Sequence, residues 1–294
     1  MKRILITGAN SYIGTSFEKW VGQYPDKYSV ETLDMIDGSW RNRDFSGFDV
    51  VFHVAGIAHA DVGKVSDQEK TLYYKVNCDL AKETALKAKS DGVRQFIFMS
   101  SIIVYGDGCR VITRDTVPTP ANFYGDSKLK AEVALTGLVD HDFKVAIIRP
   151  PMIYGKGSKG NYSTLVKIAL KLPVFPDIDN ERSMLYIDNL CEFIRIVVDE
   201  EDNGTFFPQN AEYVKTAEMI RLIVSAHKKK IVTVHFMNWA VKLLGYVPGK
   251  IGMMINKAFG NLVYEKSMSK YKEDYHVCNL SESIRATELG NTTL

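Results

Sequence analysis

Tyr124 and Lys128 stand four residues apart in Tyr124-Gly-Asp-Ser-Lys128. That spacing puts both side chains on one face of a helix. A free tyrosine, with a pKa near about 10, is a poor base at neutral pH. An ammonium beside it favours the phenolate and turns the pair into a usable acid/base. A Tyr-x-x-x-Lys pair is common on helix surfaces, so it needs a second sign. Ser100-Ser101 supply one, because they end an apolar strand-like run where α/β proteins gather their chemistry.

A second constellation opens the chain. Thr7-Gly8-Ala9-Asn10-Ser11-Tyr12-Ile13-Gly14 follows the apolar run Arg3–Thr7 and begins a helical stretch. The start of a helix offers unpaired N–H groups and a partial positive charge to a pyrophosphate. Gly8 permits the tight turn, and Gly14 lets the helix approach the strand closely. Asp34, about twenty residues on, ends the second strand-like run and is placed to accept hydrogen bonds from an adenosine ribose. A carboxylate there repels a 2′-phosphate, which favours NAD over NADP. The competing reading is that Asp34 only caps the following turn.

These residues need a scaffold, and the periodicity supplies it. Strands are expected at 3–7, 29–33, 49–54, 96–99 and 144–148, with helices at 12–22, 67–90 and 124–138. Strands separated by helices of this length imply βαβ units and a parallel sheet. The strands are apolar throughout instead of alternating, so both sheet faces should be covered. The expected fold is therefore α/β, a doubly wound Rossmann-like sheet with a smaller C-terminal substrate lobe. The dinucleotide-binding domain is expected over 1–160, with 183–210 returning to it through a strand at 184–187 and a helix at 189–198. Residues 161–182 and 211–294 would form the substrate lobe. Residues 155–160 read as a glycine-rich loop and 173–180 as a connector. The apolar, lysine-spaced stretch 237–263 reads as a packed helical lobe in preference to a surface lying on a membrane.

Composition removes whole classes of function. The chain has 294 residues, 46% apolar and 24% charged, which excludes a disordered or fibrous protein. Its net charge of +2 gives no electrostatic reason to expect nucleic acid. Cys78, Cys109, Cys191 and Cys278 are scattered without metal-ligand spacing, so no metal is expected. No signal peptide or membrane span is evident, which points to the cytoplasm.

Read in order, Thr7-Gly-x-x-x-x-x-Gly14, Phe52-His-Val-Ala-Gly56, Asn77, Ser100-Ser-Ile-Ile-Val-Tyr-Gly106, Tyr124-x-x-x-Lys128 and Arg149-Pro-Pro-Met-Ile-Tyr-Gly155 form a specific set. The chain resembles the extended short-chain dehydrogenase/reductases, the NAD-dependent sugar-nucleotide epimerases and dehydratases, over essentially its first 200 residues. The resemblance implies hydride transfer on a nucleotide-linked hexose. It makes Tyr124 the acid/base, has Lys128 hold the nicotinamide ribose and lower the Tyr124 pKa, and has Ser101 bond the substrate oxygen. Asn77 would be a structural and proton-relay residue, and the Ala55-Gly56 backbone would line the cofactor. In the second half, residues 157–162 and 176–189 are similar to the nucleotide-binding segment of bacterial surface-polysaccharide members. Asn161 and Arg182 would then contact the diphosphate. An ion pair of Arg182 with Asp177, Asp179 or Glu181 is the alternative.

Two departures from the family pattern matter. Ser11 stands where glycine is usual, which implies adjusted pyrophosphate binding. Ile102-Ile103 replace the Asp-Glu pair of the 4,6-dehydratases, and two isoleucines cannot supply the extra acid and base that water elimination needs. The expectation is an NAD-dependent 4-epimerase of a UDP-linked hexose. The alternatives are an NAD(P)H-dependent 4-ketoreductase of a 4-keto-6-deoxy sugar nucleotide and a non-catalytic nucleotide-binding protein. A homodimer is compatible with the sequence. His53, His59 and His141 are given no catalytic role, and His53 is expected to be a satisfied polar residue near the cofactor.

Overall fold

A computed structural model describes residues 1–58, 66–247 and 249–290. The N-terminal part runs β1 (Lys2–Thr7), α1 (Tyr12–Val21), β2 (Tyr28–Leu33), β3 (Val50–His53), α2 (Asp67–Tyr74), α3 (Leu80–Ser90) and β4 (Gln95–Met99). It continues through β5 (Val111–Ile112), α4 (Phe123–Thr136), β6 (Lys144–Ile148), β7 (Met152–Tyr154), α5 (Asn161–Lys171) and β8 (Val174–Pro176). The rest comprises β9 (Met184–Tyr186), α6 (Ile187–Glu200), β10 (Gly204–Phe206), α7 (Thr216–Ala226), β11 (Val232–Val234), α8 (Asn238–Gly245), α9 (Lys250–Phe259), β12 (Val263–Tyr264) and α10 (Leu280–Leu289).

Six strands form one parallel sheet in the order β10-β6-β4-β3-β1-β2. Successive side chains of a strand point to opposite faces, and both faces are buried. Ile4, Ile6, Val50, Phe52 and Ile97 pack with Phe17 of α1 and the apolar side of α6. Leu5, Val51, Phe96, Phe98 and Val145 pack instead against Ala81, Ala85 and Ala88 of α3 and Ala131 and Leu135 of α4. This is why the strands carry no polar alternation. Small alanines let α3 and α4 lie close to the sheet, while Phe17 meets Phe52 edge-on at 5.2 Å. Fully burying one such side chain stabilises the fold by roughly 1.5–3 kcal/mol.

Three sequence expectations are corrected by the fold. The helix over 67–90 is interrupted by a π-turn at Lys75–Asp79, which contains Asn77. The strand near 184–187 does not rejoin the main sheet, since β9 pairs with β7 in a two-stranded sheet of its own. The sixth strand is β10, a three-residue segment after Gly204 too short to show a pattern. Within the 173–180 connector, β8 also pairs in parallel with β11. The Met237–Val263 stretch forms α8 and α9, and α8 buries Val241 while leaving much of its apolar surface exposed. No helix among the described residues is long and apolar enough to cross a membrane.

Candidate active site

Five candidate residues follow C-terminal ends of parallel strands: Gly8 after β1, Asp34 after β2, Ala55 and Gly56 after β3, Ser101 after β4. The strand order reverses between β1 and β3, and at such a switch point adjacent loops diverge and leave a crevice. At Gly8, φ is +117°, a conformation L side chains rarely adopt, and a Cβ would lie 2.7 Å from the Ala55 nitrogen. Backbone bonds from Gly8 N–H to the Leu33 oxygen at 2.9 Å, and from Ala55 N–H to the Thr7 oxygen at 2.8 Å, tie the three strand ends together.

Ser11 caps α1, its Oγ accepting from Gly14 N–H at 3.2 Å. Helix geometry leaves the Tyr12 and Ile13 N–H groups without intrahelical acceptors, at the positive end of the helix. Asn10 sits at φ 61°, a left-handed position that asparagine tolerates. Ser11 therefore acts through its cap in place of a glycine's open space. The Tyr12 side chain turns away from the loop. Its buried hydroxyl has no hydrogen-bond partner among the described residues, and a Cβ on Gly155 would come within 2.6 Å of it. Burial, with Cys191 and Asp188 nearby, pushes the Tyr12 phenol well above its ordinary range.

Asp34 is exposed, and its Oδ1 accepts from Ile36 N–H at 2.9 Å. The turn cap is thus made, and the second oxygen has no partner among the described residues. At Gly56 a Cβ would meet Asn77 Oδ1 at 3.0 Å and Lys128 Nζ at 3.2 Å, so glycine lets the backbone pack directly on these two side chains. Asn77 is fully buried. Its Oδ1 accepts from Ile57 N–H at 2.8 Å, and its Nδ2 donates to the Ile57 oxygen and to Ser127 Oγ, both at 3.1 Å. Its amide clamps the loop after β3 to α4.

Asn122 starts α4 by accepting from Gly125 N–H at 3.0 Å, which sets the register that points Tyr124 and Lys128 inward. The Ser101 hydroxyl lies near the Tyr124 phenol and favours its ionisation. Burial works the other way and wins, pushing the phenol up to about 12, with Tyr73 adding to the rise. No hydrogen bond joins Lys128 to the phenol. Lys128 is buried and donates to the Met99 oxygen at 2.9 Å, with its Nζ 4.7 Å from the Phe98 ring centroid. Burial brings its own pKa down to about 8, opposed by Glu132 one turn further along α4.

Glu132 and Arg149 were not singled out as site residues by sequence reasoning. Glu132 accepts from Ser100 Oγ and from Arg149 Nε at 3.0 Å, while Arg149 Nη1 donates to the Tyr105 hydroxyl at 2.7 Å. The available signal was the spacing of Lys128 and Glu132, four apart on one helical face.

Asn161 is exposed at the start of α5, and Arg182 is half-buried between Val214 and Leu262, to which its backbone is bridged. No hydrogen bond joins the two. The Arg182 guanidinium donates to the Gly260 oxygen at 3.0 Å, and burial lowers its pKa. The ion-pair alternative is not what forms: Asp177 takes Arg221 and Asp179 takes Lys215, while Arg182 has no carboxylate partner among the described residues.

His53 is fully buried, with Nδ1 2.8 Å from Thr7 Oγ1 and Nε2 without a partner among the described residues. It is therefore only half satisfied. Burial, and to a lesser extent the Lys128 charge, hold its pKa down to about 3. His141 is exposed beside Asp142, and His59 lies outside the described residues. Among the described residues, no three metal-ligating side chains cluster and the four cysteines are unpaired. A shallow depression beside Met1, Glu18 and Tyr28 lies at the opposite, N-terminal end of β1 and β2 and holds none of these groups.

Residues 4–207 match the model of the NAD dependent epimerase/dehydratase family. The chain belongs to this family. It is 32% identical over 294 residues to the UDP-glucose 4-epimerase of Vibrio cholerae, covering 92% of this chain and 89% of that protein. It is 29% identical over 211 residues to the N-acetyl-alpha-D-glucosaminyl-diphospho-ditrans,octacis-undecaprenol 4-epimerase of Escherichia coli O157:H7, covering 65% and 62%. The fold is similar to that of the UDP-glucuronic acid 4-epimerase of Bacillus cereus solved with NAD, with a TM-score of 0.74, 17% identity and 98% of each chain covered.

Proposed function

We propose that the chain is a sugar-nucleotide 4-epimerase that acts on a UDP-linked hexose and keeps NAD as its resident cofactor. The observation that carries this reading is that Ser101 lies by Tyr124 while Lys128, on the same helix, reaches Met99 and Gly56 at the C-terminal end of the sheet. The close backbone packing that glycine permits at Gly8 and Gly56, and the free N–H groups in the first turn of α1, fit a dinucleotide. NAD held there supplies a reversible hydride acceptor, the chemistry that epimerisation without net redox change requires.

Tyr124 takes the proton of the C4 hydroxyl and later returns it. Ser101, near the phenol, orients the same substrate oxygen. Lys128 presents an ammonium to the nicotinamide ribose from inside the cradle, held by the Met99 carbonyl. Asp34 favours NAD over NADP through its unpartnered oxygen. Arg182 contacts the diphosphate, because a half-buried guanidinium without a carboxylate partner among the described residues suits an anion. Asn161 joins it from the start of α5. Residues 1–160 and 183–210 serve the cofactor, and 161–182 with 211–294 serve the substrate. The enzyme works in the cytoplasm as a homodimer.

Incubating the purified protein with UDP-glucose, UDP-galactose and their N-acetylated counterparts tests this. Exchange between C4 isomers without consumption of nicotinamide cofactor is the expected result. Product formed in step with NAD(P)H consumption would replace the epimerase by a 4-ketoreductase. Binding without turnover of any sugar would point to a non-catalytic protein.

A further inference from the structure

From Met219 to Tyr264 the chain contains seven Lys and Arg residues and not one Asp or Glu, although the whole protein carries a net charge of only +2. Inside this segment α8 and the residues flanking it turn apolar side chains outward. Phe236 is 73% exposed, Trp239 70%, Leu243 62% and Tyr246 87%. Trp239, Leu243 and Tyr246 are spaced i, i+4, i+7, which aligns them on one face, while Val241 points the opposite way and is buried. Leaving four large side chains in water has no stabilising effect on the fold, and contiguous exposed apolar surface of this kind marks a contact site.

The charge says what the contact is. Lys228, Lys229 and Lys230 are exposed, and Lys230 precedes Phe236 by six residues, at most about 20 Å of extended chain. Lys242 is exposed within α8 itself. Arg221 and His235 face Asp177, so their charge is partly spent. A second copy meeting this face symmetrically would bring lysine against lysine. An anionic lipid surface offers the complementary charge and takes aromatic and aliphatic side chains at the level of its headgroups.

We propose that α8 and its flanking turns dock the protein on the surface of an anionic lipid bilayer, with Trp239 and Leu243 entering the interface and the lysines meeting the headgroups. This is peripheral attachment, compatible with the lack of a spanning helix among the described residues. It stands independently of the catalytic reading.

Co-sedimentation of the full chain with vesicles tests it, using phosphatidylcholine alone and phosphatidylcholine mixed with phosphatidylglycerol. The wild type should partition onto the mixed vesicles about tenfold or more better than onto the neutral ones, and high salt should release it. Trp239→Ser with Leu243→Ser should reduce that partition by roughly tenfold or more, because two interfacial side chains are lost. Its Tm should be unchanged, since both residues are exposed. No binding to either vesicle, or equal binding to both, would overturn the proposal. So would a wild-type dimer that the double variant turns into a monomer without any vesicle binding in either form.

Discussion

The Glu132 carboxylate grips the Arg149 guanidinium through Nε at 3.0 Å and Nη2 at 2.5 Å, with the two side chains only 4% and 12% exposed. The pair joins α4, one turn beyond Lys128, to the residue after β6, and it receives Ser100 on one side and Tyr105 on the other. A buried pair of this kind is most sensitive to losing one partner, because the other charge stays behind desolvated. Glu132→Gln should therefore destabilise the protein by about 3–5 kcal/mol, read from urea unfolding. Adding Arg149→Met should recover part of the loss. Full additivity of the two changes would mean the residues do not act as a pair.

Tyr124→Phe removes one oxygen and keeps the ring. Thermal stability and NAD binding should survive, while turnover falls by roughly 10²-fold or more. Because burial holds the wild-type phenol up to about 12, the rate of the oxidation step should rise with pH across the neutral range. A flat profile, or a variant that retains its activity, would remove Tyr124 from the chemistry.

Asp34→Ala addresses the cofactor. The wild type should bind NAD more tightly than NADP, and the substitution should narrow that gap by removing a charge that repels the 2′-phosphate. Equilibrium titrations with both cofactors measure it. Tighter NADP binding by the wild type would reverse the assignment.

Arg182→Lys should already raise KM for the sugar nucleotide, since an ammonium cannot reproduce a two-pronged contact with phosphate. Arg182→Ala should raise it further, with a smaller effect on kcat, because a remote contact is made in ground and transition states alike. An unchanged KM in Arg182→Ala would exclude the residue from the substrate site.

His53 gives a pH signature. Burial keeps it neutral in the folded protein down to about pH 3, whereas an unfolded histidine takes up its proton near about 6.5. Between these values the unfolded chain binds a proton that the folded chain refuses, so stability falls as pH falls through that window. The Tm of the wild type should drop more between pH 7 and pH 5 than that of His53→Asn. Parallel curves would show that the ring does not titrate in this way.

Much of the sheet was legible because its strands are continuous apolar runs: the segments near 3–7, 29–33, 96–99 and 144–148 all fall within observed strands. The β10 strand was not legible, as three residues cannot display a period. The π-turn around Asn77 was hidden for another reason. Local sequence favours one continuous helix, and the widened turn accompanies the clamp from Asn77 to Ile57 and Ser127. The same limit applied to Tyr124. Its spacing to Lys128 was plain in the sequence, but the direction of its pKa depended on how deeply the ring is buried and where the ammonium points.

The sequence by itself determined the glycine positions, the Tyr124–Lys128 spacing, the order of the first strands and the absence of acidic charge from 219 to 264, since each is a property of neighbouring residues. Packing of the folded chain settled that Lys128 answers to Met99, that Glu132 and Arg149 meet, that Arg182 has no carboxylate partner among the described residues, and that Trp239 and Leu243 face outward. Those outcomes depend on groups from distant parts of the chain competing for the same donors, acceptors and buried volume. Such competition is settled only when the packed chain brings them within a few ångströms of one another.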